Sequence, residues 1–231
     1  MEIWLMKPPV EQIESPAHKR GLKDPVSALT HLLGVILSII GTIILLQQSN
    51  YPLDRLGLAI FGGSLICLYS ASTIYHALDV SAETNLILRK IDHAMIYVLI
   101  AGTYTPVCLI ALTGGWGTAL LIAIWTIAAA GIGLTLLWFA APRWLTTSIY
   151  VLMGWLVVIA TVPIQQTLGT VGLVWLIAGG IFYTIGAVIY GTKRPNITFA
   201  MFGFHEIFHL FVLGGSFCHY ILMLNHLPFH S

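Results

Sequence analysis

Long apolar stretches decide the fold, and the first of them is residues 26–47, VSALTHLLGVILSIIGTIILLQ. It contains no Asp, Glu, Lys or Arg. One helix of about 20 apolar residues crosses the roughly 30 Å hydrocarbon core of a bilayer, so this stretch is long enough to span. Seven such stretches follow one another along the chain, at residues 26–47, 56–78, 91–112, 118–140, 144–163, 170–190 and 203–225. The sequence therefore predicts an all-α polytopic membrane protein, a bundle of seven transmembrane helices.

Short breaks separate the predicted spans. They are marked by residues that interrupt helices: Asn50-Tyr51-Pro52, Gly114-Gly115, Pro142-Arg143, Pro163 and Lys193-Arg194-Pro195. We expect residues 1–25 to form a short cytoplasmic segment, residues 26–225 the transmembrane domain and residues 226–231 an external tail. The first 24 residues lack the apolar run and cleavage site of a signal peptide, so the first span is expected to direct its own insertion.

The composition excludes several classes of protein. Of the 231 residues, 58% are apolar and 8% are charged, against about 25% charged in soluble domains. A net charge of +1 provides no basic field for nucleic acid, which leaves membrane lipids as the expected partners. The three cysteines, Cys67, Cys108 and Cys218, lie in apolar runs without CxxC spacing, which favours neither disulfides nor a thiolate metal site.

The basic residues predict the orientation, because Lys and Arg in short loops are retained in the cytoplasm. Nine of the ten would lie on one side, namely Lys7, Lys19, Arg20, Lys23, Arg89, Lys90, Arg143, Lys193 and Arg194. Only Arg55 would lie on the other side. The N-terminus is thus predicted inside and the C-terminus outside, opposite to a G-protein-coupled receptor. No lysine falls within a span, so a retinal Schiff base is excluded as well.

Ionisable side chains inside spans are costly and are therefore candidates for function. They are His31, His76, Asp92, His93, His205, Glu206, His209 and His219. The predicted orientation places four of them, from three spans, near the cytoplasmic face: His76, Asp92, His205 and His209. Each has an ordinary alternative, since a lone histidine can bond a neighbour and an aspartate can sit at a helix start near the interface.

The spacing of these residues is typical of a metal site. His205 and His209 are four residues apart and share one helical face, as do Ser72 and His76. Two histidines from one helix and a third from another can hold zinc with a fourth position open, and Asp92 would supply an anion.

The other ionisable residues are expected outside the first coordination shell. His93 points about 100° away from Asp92 on the helix, and Glu206 projects from another face than His205 and His209, towards the cytoplasmic interface. His31 lies about two turns into its span. His219 lies about 15 Å deeper than His209 and is interpreted as a packing or hydrogen-bonding residue.

The motifs resemble the hemolysin III proteins, the bacterial branch of the progestin and adipoQ receptor family, which is related to the alkaline ceramidases. The segments that carry the resemblance are Ala71–Ala77, Ile91–His93, Ala101–Pro106, His205–His209, Val212–Ser216 and His219. The resemblance implies zinc bound by His76, His205 and His209, with Asp92 contacting the activated water and Ser72 beside it. It also implies a bacterial cytoplasmic membrane location. A long N-terminal region and sizeable outer loops, present in the eukaryotic receptors, are lacking here, which disfavours hormone reception.

Three functions follow as hypotheses. The first is a zinc-dependent hydrolase of a lipid amide or ester bond, with ceramide-like lipids as the substrate that the resemblance suggests. The second is a zinc-stapled membrane protein without turnover, in which Asp92 could close the site. The third is a pore or cytolysin, which ranks last because the spans offer no polar path.

Overall fold

A computed structural model describes residues 21–112, 114–138, 141–195 and 202–230. These residues form helices joined by short loops: α1 (Pro25–Leu46), α2 (Pro52–Ala77), α3 (Ala82–Pro106), α4 (Gly115–Leu137), α5 (Arg143–Trp155), α6 (Thr161–Thr192) and α7 (Phe204–Asn225). A π-helical turn, Val107–Ala111, extends α3, and a 3-10 stretch, Leu156–Ala160, joins α5 to α6. Most of the predicted N-terminal segment and the last residue of the predicted tail lie outside the described residues.

By length and composition, six helical segments of the described chain could cross a membrane. The first two predicted spans and the last one coincide with α1, α2 and α7 to within a few residues. The third helix begins earlier than predicted, at Ala82, where Ser81 Oγ accepts a hydrogen bond from the Thr84 amide at 3.3 Å. The predicted span began after the charged residues Arg89 and Lys90, because charge limits the part of a helix that lies in the membrane. Charge does not end the helix itself, so the helix starts earlier than the span.

The fifth of these segments, Arg143–Thr192, is 50 residues long and reverses direction at Gly169. Gly169 has φ 68° and ψ 178°, a conformation that is essentially restricted to glycine. Trp155 Nε1 donates a hydrogen bond to Thr184 Oγ1 at 2.8 Å, although a straight helix would hold these residues about 43 Å apart. The segment is therefore two antiparallel arms. Pro163, predicted to mark the break, lies in the first turn of α6, where proline is tolerated.

Helices that follow one another in the chain pack side by side, and α1 and α6 both pack against α7. The approach of α2 to α3 depends on Gly102, where a Cβ atom would lie 2.4 Å from Ser64 Oγ. On the outside of α1, Leu33 and Ile40 leave about half of their surface exposed, at 53% and 51%. Apolar side chains directed outward are typical of a surface that contacts lipid.

The two ends of the bundle differ in their polar residues. At one end His76, in the last turn of α2, meets His205 at the start of α7, and Asp92, about three turns into α3, lines the same cavity as His205. At the other end the buried Asp54 carboxylate accepts hydrogen bonds from Ser49 Oγ at 2.8 Å and from the His230 amide and Nδ1 at 2.8 and 2.6 Å. These bonds hold the C-terminal tail against the loop between α1 and α2.

Candidate metal centre

Three histidines converge where the last turn of α2 meets the first two turns of α7. One ligand atom from each of His76, His205 and His209 lies within 4.8 Å of the others. The ring centroids of His205 and His209 are 4.6 Å apart, as expected for residues one helical turn apart. The His76 ring lies 4.9 Å from the His205 ring and 5.0 Å from the His209 ring. The structure thus brings together the three residues that the sequence nominated as ligands.

The spacing of the nitrogens fits a single cation. Histidine nitrogens that bind one tetrahedral zinc ion at about 2.0–2.1 Å lie about 3.3 Å from each other. Nε2 of His76 and Nε2 of His205 are 3.1 Å apart, and Nδ1 of His209 is buried without a hydrogen-bond partner among the described residues. The cluster could therefore hold a metal ion, and an all-imidazole set suits zinc, copper, iron or nickel.

Asp24, which sequence reasoning did not nominate, orients the first of these histidines. Asp24 Oδ2 lies 2.9 Å from His76 Nδ1, and the Asp24 amide donates to the His76 carbonyl at 2.8 Å. A carboxylate that accepts the Nδ1 proton leaves Nε2 as the lone-pair donor, which is the usual outer partner of a metal-binding histidine. The sequence offers one signal for it, an acidic residue two positions before the first predicted span.

Lys23 fastens the same short segment to the end of α2 and the start of α3. Its ammonium donates to the Tyr75 carbonyl and, at 2.8 Å, to Asn85 Oδ1, and it lies 3.7 Å from the centre of the Tyr75 ring. Burial lowers the pKa of the Lys23 ammonium below its usual value, against the opposing effect of Asp24. Residues 23 and 24 therefore form a strap across the end of α2 that carries His76.

Asp92 and Ser72 lie together in the wall of the cavity that the histidines adjoin. Both are buried, with 8% and 1% of their surfaces exposed, and the Ser72 hydroxyl lies within hydrogen-bonding reach of the Asp92 carboxylate. His205 and His209 line the same cavity. A carboxylate and a hydroxyl thus face the space beside the candidate ligands. Their assignment as catalytic residues stays a prediction.

The histidine on α1 is a packing partner of the cluster. His31 stacks on His209, with ring centroids 3.7 Å apart and planes 9° from parallel. Both of its ring nitrogens are buried without a hydrogen-bond partner among the described residues. His31 therefore adjoins the site through ring contact.

The remaining ionisable residues of α3 and α7 are engaged elsewhere. His93 Nε2 lies 3.2 Å from the Tyr190 hydroxyl, and His219 Nε2 donates to the Leu176 carbonyl at 3.2 Å. Glu206 was expected to project towards the cytoplasmic interface. Its carboxylate accepts hydrogen bonds from Ser27 Oγ and from the Gly203 amide, both at 2.8 Å. It therefore caps α7 and ties this helix to α1, as an acid at the third helical position often does.

A long cavity of about 320 Å³ extends from the histidine cluster into the bundle. Its lining on α3 runs from Asp92 to Val107, about 22 Å along the helix, and on α7 from His205 to His219. Away from the polar end most lining residues are apolar, including Leu99, Ile164, Leu173 and Leu176. The cavity has the shape and polarity of a space for an apolar chain whose polar end lies at the cluster.

Comparison with known proteins identifies the family. A family model described as haemolysin-III related matches residues 20–220. The chain belongs to this family. The matched range of this haemolysin-III-related chain contains the three histidines together with Asp24, Ser72 and Asp92.

Bacterial and animal relatives support the assignment. The chain is 40% identical over 197 residues to the hemolysin-3 homolog of Bacillus subtilis (strain 168), covering 84% of this chain and 89% of that protein. It is 36% identical over 197 residues to hemolysin-3 of Bacillus cereus, covering 84% and 87%. It is 26% identical over 205 residues to the human monocyte to macrophage differentiation factor, covering 86% and 82%. The resemblance seen in the motifs is thereby confirmed, and the chain is a multi-pass membrane protein.

Proposed function

We propose that this haemolysin-III-related protein is a zinc-dependent hydrolase that cleaves an amide or ester bond of a membrane lipid near the cytoplasmic face. The observation that carries the proposal is the position of the three-histidine cluster at the polar end of a long apolar cavity, with Asp92 and Ser72 in its wall. A hydrolase of lipids needs these elements side by side, because the acyl chain must lie in apolar surroundings while the scissile bond meets polar groups.

The proposal includes seven membrane crossings in the bacterial cytoplasmic membrane. The reversal at Gly169 supports this number, because each arm of Arg143–Thr192 has more than the roughly 20 residues that one crossing requires. The basic residues favour a cytoplasmic N-terminus. Lys23, Arg89 and Arg143 all lie at the end of the bundle that carries the histidine cluster.

His76, His205 and His209 would hold the zinc ion. When bound, zinc lowers the pKa of a coordinated water to about 7 and polarises a carbonyl group. Asp92 would accept a proton from the attacking water and return it to the leaving group. Ser72 would donate a hydrogen bond to the Asp92 carboxylate and hold it in place, or donate it to the developing oxyanion. Asp24 keeps the lone pair of His76 Nε2 directed into the cluster.

Metal analysis of the purified protein tests the metal site. We expect about one zinc per chain, lost in His76→Ala and in His209→Ala. His226→Ala is the matched control, because this histidine lies at the far end of α7 and should leave the metal content unchanged. A folded wild-type protein without bound metal would overturn the zinc assignment.

Lipid hydrolysis tests the activity. Asp92→Asn should retain the metal and abolish release of fatty acid from a library of lipid amides and esters in mixed micelles. Full activity in Asp92→Asn would contradict the role of this carboxylate. A metal-loaded wild type that cleaves no lipid in the library would contradict the hydrolase proposal.

A zinc staple without turnover is the second candidate, and one observation favours it. Helices α2 and α7 share little direct backbone contact, since each packs on α1, so a metal held by His76 and the α7 pair would join them. In that case metal removal should lower the unfolding temperature while the wild type releases no fatty acid. The pore hypothesis gains no support from the described cavity, because its lining is mostly apolar.

A further inference from the structure

A second, smaller pocket adjoins the cavity at its polar end. It is formed where the first half of α3, the end of α4, the first half of α5 and the end of α6 meet. We name it the arginine pocket after the residues used below, Arg89, His93, Arg143, Thr146, Tyr150 and Tyr190. Arg89 and Arg143 supply cationic N–H donors, whereas the Thr146 and Tyr150 hydroxyls already donate to the carbonyls of Arg143 and His93, at 3.0 and 3.2 Å. No carboxylate among the described residues lines this pocket.

Arg143 has donor capacity that the described residues do not use. Its guanidinium lies 5.3 Å from the centre of the Tyr190 ring, within cation–π distance. Nη1 of Arg143 is buried and has no hydrogen-bond partner among the described residues. An N–H group that is buried without an acceptor is costly, and a bound anion would remove that cost.

The size of the pocket suits a small oxyanion. Its volume is about 50 Å³, which is room for roughly four water-sized groups at 10–15 Å³ each. A phosphate group is of this size, and arginine binds it with paired N–H donors. The positive end of α5, which starts at Arg143, adds to the attraction for an anion.

The arginine pocket and the cavity share a wall. His93, Tyr150 and Tyr190 line both of them. The Tyr190 ring contacts both sites. Its centroid lies 6.0 Å from the centroid of the His205 ring and 5.3 Å from the Arg143 guanidinium. One molecule could therefore place a charged group among the arginines and an apolar chain in the cavity, with its linkage close to the histidine cluster.

We propose that the arginine pocket binds a phosphate group, either as the headgroup of an anionic lipid whose acyl chain lies in the cavity or as free phosphate. The place of the acyl chain rests on the proposed function. The binding of the anion requires neither bound metal nor turnover. If the lipid is the source, the substrates of the neighbouring site are phosphate-bearing lipids.

Native mass spectrometry of the purified full-length protein tests this proposal. Dioleoyl phosphatidic acid and dioleoylglycerol have the same acyl chains and differ in the phosphate. We expect the wild type to bind phosphatidic acid at least about tenfold more tightly, because hydrogen bonds to charged groups contribute about 1.5–3 kcal/mol. Arg143→Gln and Arg89→Gln should each remove most of this preference. Arg194→Gln is the matched control, since Arg194 is exposed near the same end and lines neither pocket.

Inorganic phosphate distinguishes the two sources. Broadening of its ³¹P resonance by the wild type but not by Arg143→Gln, without a preference between the two lipids, would assign the pocket to free phosphate. Equal binding of the two lipids without any effect on inorganic phosphate would overturn the proposal. So would loss of the preference in Arg194→Gln to the same extent as in Arg143→Gln. If Arg143→Gln does not fold, Arg89→Gln and the wild-type comparison of the two lipids decide the outcome.

Discussion

Asp24 Oδ2 lies 2.9 Å from His76 Nδ1, so a residue outside the first helix holds the ring of a candidate ligand on the second. The Asp24 amide also bonds the His76 carbonyl. The two contacts fix both the end of α2 and the orientation of its histidine. The candidate metal centre is thus built from the strap formed by residues 23 and 24 as well as from its three histidines.

Asp24→Asn should weaken metal binding about 10- to 100-fold, the usual effect of removing an outer partner of a metal-binding histidine. Chelator competition on the purified protein measures the change. Asp79→Asn is the matched control, since it removes the same charge from an exposed residue just beyond α2. Unchanged affinity in Asp24→Asn would show that this contact does not support the metal.

His31→Phe should keep the bound metal within about twofold. Phenylalanine preserves a ring that can stack on His209 but supplies no nitrogen, so the variant separates ring packing from ligation. The metal-to-protein ratio after dialysis is the measurement. Loss of metal comparable to that in His209→Ala would identify His31 as a fourth ligand.

Gly169→Ala should destabilise the protein by about 1–3 kcal/mol, because its φ of 68° with ψ of 178° is unfavourable for any residue with a Cβ atom. Gly133→Ala is the matched control in a helix, where an added Cβ would meet nothing within 4 Å. It should leave the stability unchanged or raise it slightly. Unfolding followed in mild detergent compares the two, and equal stability would contradict the strained turn.

Gly180→Met should reduce the amount of lipid that copurifies with the protein at least a few-fold. Gly180 lines the cavity, and an added Cβ would make only ordinary contacts with Trp155, at 3.7 and 3.8 Å, so the longer side chain can extend into the cavity. Gly133→Met, which adds the same side chain where a Cβ meets open space, should have no effect. Equal lipid content in both variants would indicate that lipid does not occupy the cavity.

Much of the fold could be predicted because the bilayer allows few solutions. Backbone groups inside hydrocarbon must be bonded within their own segment, so apolar stretches of about 20 residues become helices. The ends were less predictable. Pro163 was expected to mark a break, yet proline is tolerated in the first turn of α6, and the chain reverses at Gly169 instead.

The site was predictable where its residues are close in sequence. His205 and His209 share a helical face by their spacing alone, and the basic loops placed His76 and Asp92 at the same level. Asp24 was missed because its partner is 52 residues away in the chain. The sequence predicts that Glu206 projects towards the interface. Its hydrogen bond from Ser27 could not be predicted, because Ser27 lies on another helix and no local sequence pattern marks the contact.

The sequence by itself determined that this protein lies in a membrane and which stretches are helical. It also showed which polar residues gather near one end of the bundle. These properties follow from local composition and from the cost of charge in hydrocarbon. Only the tertiary structure decided that Asp24 orients His76, that His31 stacks on His209 and that the arginine pocket shares a wall with the cavity. Such contacts join residues from different helices, and their geometry is determined by how the helices pack against each other.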